Sequence, residues 1–485
     1  MGFNKVTNIR LSKSIIPFLG FTITLLILVY LVFSHFPLLG HDYSLVISWA
    51  NDYNFAWNKF DVFNLIFTPQ RCGGVPVWAN PIGSNFSFFH LLSIFFKDLH
   101  VIFLFITTIL SLSYWGTRKF LSLFNLSSLW TEYFCISWCL QGFIVARLIV
   151  GHLPLMNISL WPLYAYLLLK QSNSKSRMIF EVLALMALYT HDFYLGNVYL
   201  FVMFPISFLL LMLILKINNF KIDSKTSIIK LITVVIASAI LISPKVFAII
   251  EFTKNFQRSV SFIPIEFKNS LNYIFMNYIL PLRLEYNQMT GWWYGNWESL
   301  NYLFPGLFVF IIIKIVLNFK ENSRLIYGLL IIFSIATLIV SGVYGDFVKN
   351  IPVIKSFHVN PRWLPILNLS ILTTMVLFIE KTKFPKWGPF IFILSSLYLP
   401  FLFMDKVYLG INYTYRQGLD VNSNRVNYCY EPVFGFRLEL LPLDKIQGKY
   451  ADPRCYLGDS KCKNYSLPKE LYNDLENYKL MPFKN

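Results

Sequence analysis

Charged side chains are scarce in this sequence. Only 14% of its 485 residues are Asp, Glu, Lys or Arg, while 56% are hydrophobic, against about 25% and about 45–50% in an ordinary soluble domain. This composition excludes a soluble cytosolic enzyme. The 42 basic residues exceed the 25 acidic ones, for a net charge of +17. They are scattered between apolar runs instead of clustered, so the sequence predicts no nucleic-acid partner.

The sequence contains several long stretches without charged residues. A helix needs about 17–25 mostly apolar residues to cross a bilayer, and the hydrophobic runs predict an all-α polytopic membrane protein with about 11 transmembrane helices. No internal repeat is visible, so the inverted-repeat pattern of many transporters is missing. The first run lacks a signal-peptide cleavage site and is predicted to be retained. The predicted spans are residues 14–33, 99–115, 129–150, 154–169, 178–190, 194–215, 229–250, 302–318, 325–342, 364–380 and 387–404.

Basic residues are unevenly divided between alternate connections. The set that includes the N-terminus has 18 Lys and Arg in 67 positions, and the opposite short loops have 6 in 95. Because Lys and Arg favour the cytoplasmic side, we predict a plasma (inner) membrane protein, of bacterial type, with a cytoplasmic N-terminus and an extracytoplasmic C-terminus. Residues 1–404 form the predicted transmembrane domain, with external loops 34–98 and 251–301. Residues 405–485 form a small extracytoplasmic domain.

Cysteines are also few. Two of the six, Cys135 and Cys139, lie within a predicted span, where small apolar packing residues are expected. The sequence has no CxxC motif and no nearby histidine pair, which disfavours zinc and leaves disulfides in an oxidising compartment as the interpretation of the other four. The local pair would be Cys455 with Cys462, which leaves Cys72 to bond Cys429 and so attach the tail to the first loop.

Unusual polar residues gather at the predicted external ends of the spans. Ionisable groups at membrane depth are costly and indicate function by default. We expect these side chains to converge on one external cavity. They are His41, Asp42, Arg147, His152, His191, Asp192, Lys245, His358 and Arg362.

The first external loop carries further signals. Its glycines and prolines indicate turns, and residues 85–96 are predicted to form a helix on the membrane surface. The long loop after the first span, with an acidic residue near its start, resembles the membrane glycosyltransferases of the GT-C fold. The segments that carry the resemblance are His41-Asp42, RCGGVPVWANP (71–81), ARLIVGH (146–152), His191-Asp192 with Gly196-Asn197, and CYEPVFGF (429–436).

The resemblance implies an inverting transfer of a sugar from a polyprenyl-phosphate donor to a glycan, lipid or protein acceptor at the external face of the membrane. Asp42 would be the catalytic carboxylate, with His41 beside it. His191 and Asp192 would hold a divalent cation, Mg or Mn, although several GT-C families have paired acidic residues where this loop has His-Asp, which leaves metal dependence open. The donor phosphate would meet Arg147, His152, Lys245, His358 and Arg362.

Each of these residues also has a purely structural interpretation. Asp42 fits a helix cap or an interfacial carboxylate, and Arg147 and Lys245 fit side chains that reach the interface. The histidines fit partners for backbone carbonyls at kinked helix ends. Trp78, Trp292 and Trp293 fit a sugar platform or an aromatic belt among the membrane lipids.

Three other functions compete with the transferase. A flippase for lipid-linked saccharides is expected to have polar groups at both mouths of its cavity, whereas the unusual groups here are one-sided. A polysaccharide polymerase or ligase uses similar external Arg and His residues, and the sequence separates it poorly from the transferase. An assembly protein without catalysis is the third alternative.

The predicted orientation can be tested with single cysteines introduced at Ser172 and Asp420 in a cysteine-free background. We expect a membrane-impermeant thiol reagent to label position 420 in intact cells and position 172 only after lysis. The reverse pattern would invert every loop assignment.

Overall fold

The computed structural model describes most of the apolar helices and part of the first loop. The described residues are 4–34, 78–79, 86–96, 98–172, 174–196, 198–255, 300–317, 319–342, 360–382, 388–390 and 392–401, with the single positions 43, 46, 50, 53, 54, 57, 274 and 278. Within these ranges all regular structure is helical. The tail at 405–485, including three of the predicted disulfide cysteines, lies outside them, as does Cys72.

Thirteen α-helices and two 3₁₀ helices have defined bounds within the described residues. The α-helices are α1 (Asn4–Phe33), α2 (Phe88–Phe95), α3 (Asp98–Leu121), α4 (Ser128–Cys139), α5 (Gly142–Val150), α6 (Trp161–Leu169), α7 (Lys175–Tyr194), α8 (Val198–Ile217), α9 (Ser224–Asn255), α10 (Pro305–Leu317), α11 (Phe319–Ser341), α12 (Asn368–Thr382) and α13 (Phe392–Phe401). The 3₁₀ helices are Leu153–Leu160, before α6, and Asn360–Leu367, before α12.

Seven of the described segments are long and apolar enough to cross a membrane, and the protein is a polytopic all-helical membrane protein. Each of the seven coincides with a predicted span. The other four predicted spans also contain helices, α6, α7, α10 and α13, but these are shorter or less apolar. The count of eleven crossings therefore stays a prediction.

The centre of the protein is the segment Ser128–Val150, whose apolar window is fully buried, although Ser128 at its start is exposed. The segment Arg362–Thr382 is nearly as enclosed, at 89% buried, whereas the apolar windows of α1 and α9 are each only 28% buried. Helices enclosed by other helices form the core, and the peripheral ones turn one face outward. In a membrane protein that outward face meets lipid.

The central segment is broken between α4 and α5. Leu140 leaves the helical conformation and Gln141 is extended. The N–H of Gly142 donates to the carbonyl of Tyr302 at 3.0 Å, and a Cβ on Gly142 would lie only 2.5 Å from the Tyr302 ring. Glycine thus permits another backbone to enter the break and to satisfy a peptide group that has no water available.

Buried amides hold the same break from the other side. Asn368 donates to Gln141 Oε1 at 2.7 Å and to Asn301 Oδ1 at 2.9 Å. Asn301 donates to the Tyr278 hydroxyl at 2.6 Å, and Tyr278 donates to the Leu364 carbonyl at 3.2 Å. Because buried amides are costly unless paired, this network fixes α12 against the central segment.

The predicted cytoplasmic end is held by ion pairs. The Lys230 ammonium lies 3.2 Å from Glu181 and also donates to the carbonyl of Lys170 at 3.0 Å, which joins α9 to the turn between α6 and α7. Arg118 of α3 pairs with the buried Glu132 of α4. Each of these buried carboxylates has a cation within reach, as burial of a charge requires.

The predicted helix within 85–96 is present as α2, and its position on the membrane surface stays a prediction. Ser87 caps its first turn, accepting from the His90 N–H. Its Leu91 and Phe95 side chains are exposed, and the helix packs against the start of α3. Asn54 of the first loop donates to the Ser93 carbonyl at 2.9 Å, so the loop is attached to this helix.

Gly116 offers a test of the packing between α3 and α6. A Cβ there would lie 2.4 Å from Leu163 Cβ, so we expect Gly116→Ala to destabilise the protein by about 1–3 kcal/mol through overpacking. Thermal unfolding in detergent measures the effect. Gly306→Ala is the matched control, because its Cβ would make only an ordinary contact at 3.4 Å. Equal stability of the two variants would contradict this packing.

Candidate functional site

Arg147 is anchored at the end of α5. Gly151 ends the helix in the left-handed conformation with φ 98°, and the N–H groups of Gly151 and His152 both donate to the Arg147 carbonyl, a glycine-dependent helix end. The chain turns back, so the His152 ring comes within 3.0 Å of the Arg147 guanidinium and accepts a hydrogen bond at Nδ1. The Arg147 side chain is fully buried and lies over the Phe143 ring.

The first external loop reaches this same helix end. The Tyr43 hydroxyl donates to the Leu148 carbonyl at 2.5 Å, and the Tyr43 side chain is fully buried. Tyr43 follows the His41-Asp42 pair directly in the sequence, although His41 and Asp42 lie outside the described residues. Tyr43 is therefore attached to α5, the helix that carries Arg147.

Asp192 lies at the end of α7 in a polar site built by neutral donors. The Asn157 amide donates to its carboxylate at 2.6 Å, and the Tyr164 hydroxyl lies 3.0 and 3.1 Å from its two oxygens. The carboxylate is fully buried. Hydrogen bonds to a carboxylate are strong, so Asn157 and Tyr164 hold Asp192 in one orientation.

His191 borders this site. Its Nδ1 lies 3.4 Å from the Asn157 amide nitrogen and 3.9 Å from the Asp192 carboxylate. Asn157 Oδ1 and His191 Nε2 are buried and have no hydrogen-bond partner in the described structure. One acceptor and one ring nitrogen thus have no partner among the described residues and are available to another polar group.

Lys245 is enclosed by aromatic rings from two other segments. Its ammonium lies 5.9 Å from the centre of the Trp78 ring and 5.6 Å from that of Tyr194, within the range of cation–π attraction. The Lys245 side chain is fully buried, whereas Trp78 is half-buried. Tyr194 is fixed by donating to the Leu241 carbonyl at 3.0 Å. Trp78 therefore attaches the first loop to α7 and α9.

These contacts bring five residues of the predicted site to one end of the helices, namely Arg147, His152, His191, Asp192 and Lys245. Asn157 links the 3₁₀ helix that follows Arg147 and His152 to Asp192 and His191, and Tyr194 links the same end of α7 to Lys245. Arg362 is the third residue of the second 3₁₀ helix, and the next residue, Trp363, has its ring 6.4 Å from that of Tyr199 near the start of α8. The predicted residues His358, Trp292 and Trp293 lie outside the described ranges.

A metal site is not assembled by the residues described. In that part of the chain no three His, Cys, Asp or Glu side chains come close enough together to hold a metal ion. His191 and Asp192 are neighbours, but hydrogen bonds from Asn157 and Tyr164 already occupy the Asp192 oxygens. A divalent cation at this pair stays a prediction. Cys135 and Cys139 are buried free thiols, in keeping with their predicted packing role.

Sequence analysis missed the residues that support this site. Asn157 could have been identified from the sequence, because it is an amide inside an otherwise apolar predicted span, where polar groups are unusual. Tyr43, Tyr164 and Tyr194 gave none, because tyrosine is common in this sequence, with 28 residues. Only the folded chain shows which tyrosines meet carbonyls and carboxylates.

Comparison with protein-family models, with curated proteins and with solved structures finds no match. The functional assignment therefore depends on the residues and contacts described above.

His90 gives a pH-dependent test of how the first loop docks. Burial lowers the pKa of His90 from 6.5 to about 4, and its Nδ1 accepts from the Phe86 N–H at 2.9 Å. Above pH 6.5 the neutral His90 ring makes its full contribution to the stability of α2 in its packed position. This contribution is lost as the pH falls from 6.5 toward 4. At pH 5 we expect a loss of about 2 kcal/mol.

Hydrogen exchange of the α2 amides measures this loss. The control is His90→Asn, whose side-chain oxygen retains an acceptor without a titrating ring. At pH 5 the parent protein should exchange faster relative to the control than it does at pH 7.5. A constant ratio between the two proteins would show that His90 does not control docking.

Proposed function

We propose that this protein is a membrane glycosyltransferase that moves a sugar from a polyprenyl-phosphate donor to an acceptor at the extracytoplasmic face, with inversion at the anomeric carbon. The observation that carries the proposal is the hydrogen bond from Tyr43 to the Leu148 carbonyl. It attaches Tyr43, the residue that follows the candidate base Asp42 in the sequence, to α5, the helix that carries the buried cation Arg147. A proton acceptor and a phosphate-binding cation are the two parts that this transfer requires.

The proposed reaction is one displacement. The acceptor hydroxyl oxygen attacks the anomeric carbon, and the bond between that carbon and the lipid phosphate oxygen breaks. The electron pair leaves with the phosphate, while the Asp42 carboxylate takes the proton of the acceptor hydroxyl. Arg147, with five N–H donors in a planar fork, stabilises the charge that develops on the phosphate.

The Asp192 site supports recognition of the sugar. Sugars present hydroxyl groups that both donate and accept hydrogen bonds. Asn157 Oδ1 offers an acceptor and His191 Nε2 a ring nitrogen, both without a partner in the described structure. Because Asp192 already holds the Asn157 amide at 2.6 Å, the site is organised before a ligand arrives, which lowers the entropic cost of binding.

Sugar transfer can be measured with the purified full chain in lipid nanodiscs, using radiolabelled polyprenyl-phosphate hexoses and pentoses and a panel of acceptors. We expect Arg147→Lys to reduce transfer about tenfold to a hundredfold, because it keeps the charge and loses bidentate hydrogen bonds. Arg362→Lys should act in the same direction. Asp42→Asn should reduce transfer about 100- to 10,000-fold by removing the base.

Arg118→Lys is the matched control. It makes the same substitution at the predicted cytoplasmic end, where Arg118 pairs with Glu132, and it should transfer at the parent rate. Parent rates in Arg147→Lys and Asp42→Asn would reject these roles. Movement of the labelled donor across the bilayer without cleavage would favour the flippase instead.

A further inference from the structure

An apolar groove lies beside the candidate site. It runs between the start of α8 and the outer half of α9, over the end of α7, and has a volume of about 340 Å³. Ligand pockets commonly fall between about 300 and 1,000 Å³. Its walls include Phe193, Val198, Phe201, Ile242, Val246 and Phe247.

Each of the two helices that flank the groove contains a proline, and the backbone carbonyl that each proline frees is hydrogen-bonded. Pro244 in α9 and Pro205 in α8 have no N–H, which frees the carbonyls of Ile240 and Phe201 four residues earlier. The Ser243 hydroxyl donates to the Ile240 carbonyl at 2.8 Å, and the Tyr189 hydroxyl donates to the Phe201 carbonyl. With these carbonyls satisfied, the walls remain suited to hydrocarbon.

The groove opens toward lipid. On α9, Phe247 in the groove wall is 71% exposed, and nearby Ile240 and Ile236 are 67% and 56% exposed. Exposed side chains of this size on a membrane-spanning helix face the hydrocarbon of the bilayer. A hydrocarbon chain can therefore enter from the side without crossing water.

The inner end of the groove lies next to the buried cation. Phe193, in its wall, is flanked in sequence by Asp192 and Tyr194. The Tyr194 side chain packs against the groove-wall residues Phe193, Ile242 and Ile249. Its ring lies 5.6 Å from the ammonium of Lys245, which does not itself line the groove. A phosphate headgroup on a chain in the groove would thus lie near the Lys245 amino group, whose N–H groups can donate to phosphate oxygens.

We propose that this groove binds the isoprenoid chain of a polyprenyl phosphate, with the phosphate directed toward Lys245. The identity of the occupant rests on the proposed function, whereas the groove and its neighbouring cation do not. A cleft between two helices accommodates one chain, as in a polyprenyl phosphate, more readily than the two acyl chains of a phospholipid.

Photolabelling tests the site without requiring turnover. The full chain in phosphatidylcholine nanodiscs is irradiated with a polyprenyl phosphate that carries a diazirine in its chain, and labelled peptides are mapped by mass spectrometry. We expect labels on the start of α8 and on residues 239–250. Excess polyprenyl phosphate should remove them, and excess phosphatidylglycerol should not.

A matched pair of variants separates the groove from the general lipid surface. Ala239 lines the groove and Ile240, the next residue, does not. Ala239→Trp should lower the labelling about tenfold by filling the space, while Ile240→Trp should label like the parent. In Lys245→Met, polyprenyl phosphate should lose its advantage over uncharged polyprenol as a competitor, with thermal unfolding used to confirm that the variant folds.

Labelling that Ala239→Trp leaves unchanged, or that phosphatidylglycerol abolishes equally well, would overturn the proposal and identify only bulk lipid. The two proposals fail separately. Groove labelling without any sugar transfer would retain the site and reject the transferase. Parent-level transfer by Ala239→Trp, with its label moved elsewhere, would reject only the groove.

Discussion

Every peptide group placed in the hydrocarbon layer must find its hydrogen-bond partner within the protein, because lipid offers none. This requirement explains the irregular parts of the structure. The break before Gly142 is filled by the Tyr302 carbonyl, and the carbonyl freed by Pro244 is taken by Ser243. At these two places in the described structure, a departure from regular helix occurs where another group supplies the missing bond.

Buried carboxylates have different kinds of partner at the two ends of the helices. At the predicted cytoplasmic end, Glu132 pairs with Arg118, and Glu181 pairs with Lys230. At the other end, Asp192 is held by the neutral groups of Asn157 and Tyr164. A buried ion pair cancels its own charge, whereas neutral donors orient a carboxylate without placing an opposite charge against it. The first arrangement suits a structural clamp and the second suits a ligand site.

How much the sequence predicts depends on the range of the interactions. Hydropathy located the seven long apolar segments, because about 20 consecutive apolar residues are a local signal. The grouping of Arg147, Asp192 and Lys245 at one end followed from their positions near span ends. The contact of Tyr43 with the Leu148 carbonyl joins positions 105 residues apart, and no local pattern identifies that pair. The break at Gly142 was missed for the same reason, because its cause is the approach of Tyr302.

Helix geometry explains why three environments meet at the end of α7. Successive residues of a helix point about 100° apart, so three consecutive side chains face three neighbours. Asp192 faces Asn157 and Tyr164, Phe193 faces the apolar groove, and Tyr194 faces Lys245 and Trp78. Polar, apolar and cationic surroundings therefore lie within one helical turn. The lipid-linked sugar of the proposed function has groups complementary to each of the three surroundings, namely hydroxyls, a hydrocarbon chain and a phosphate.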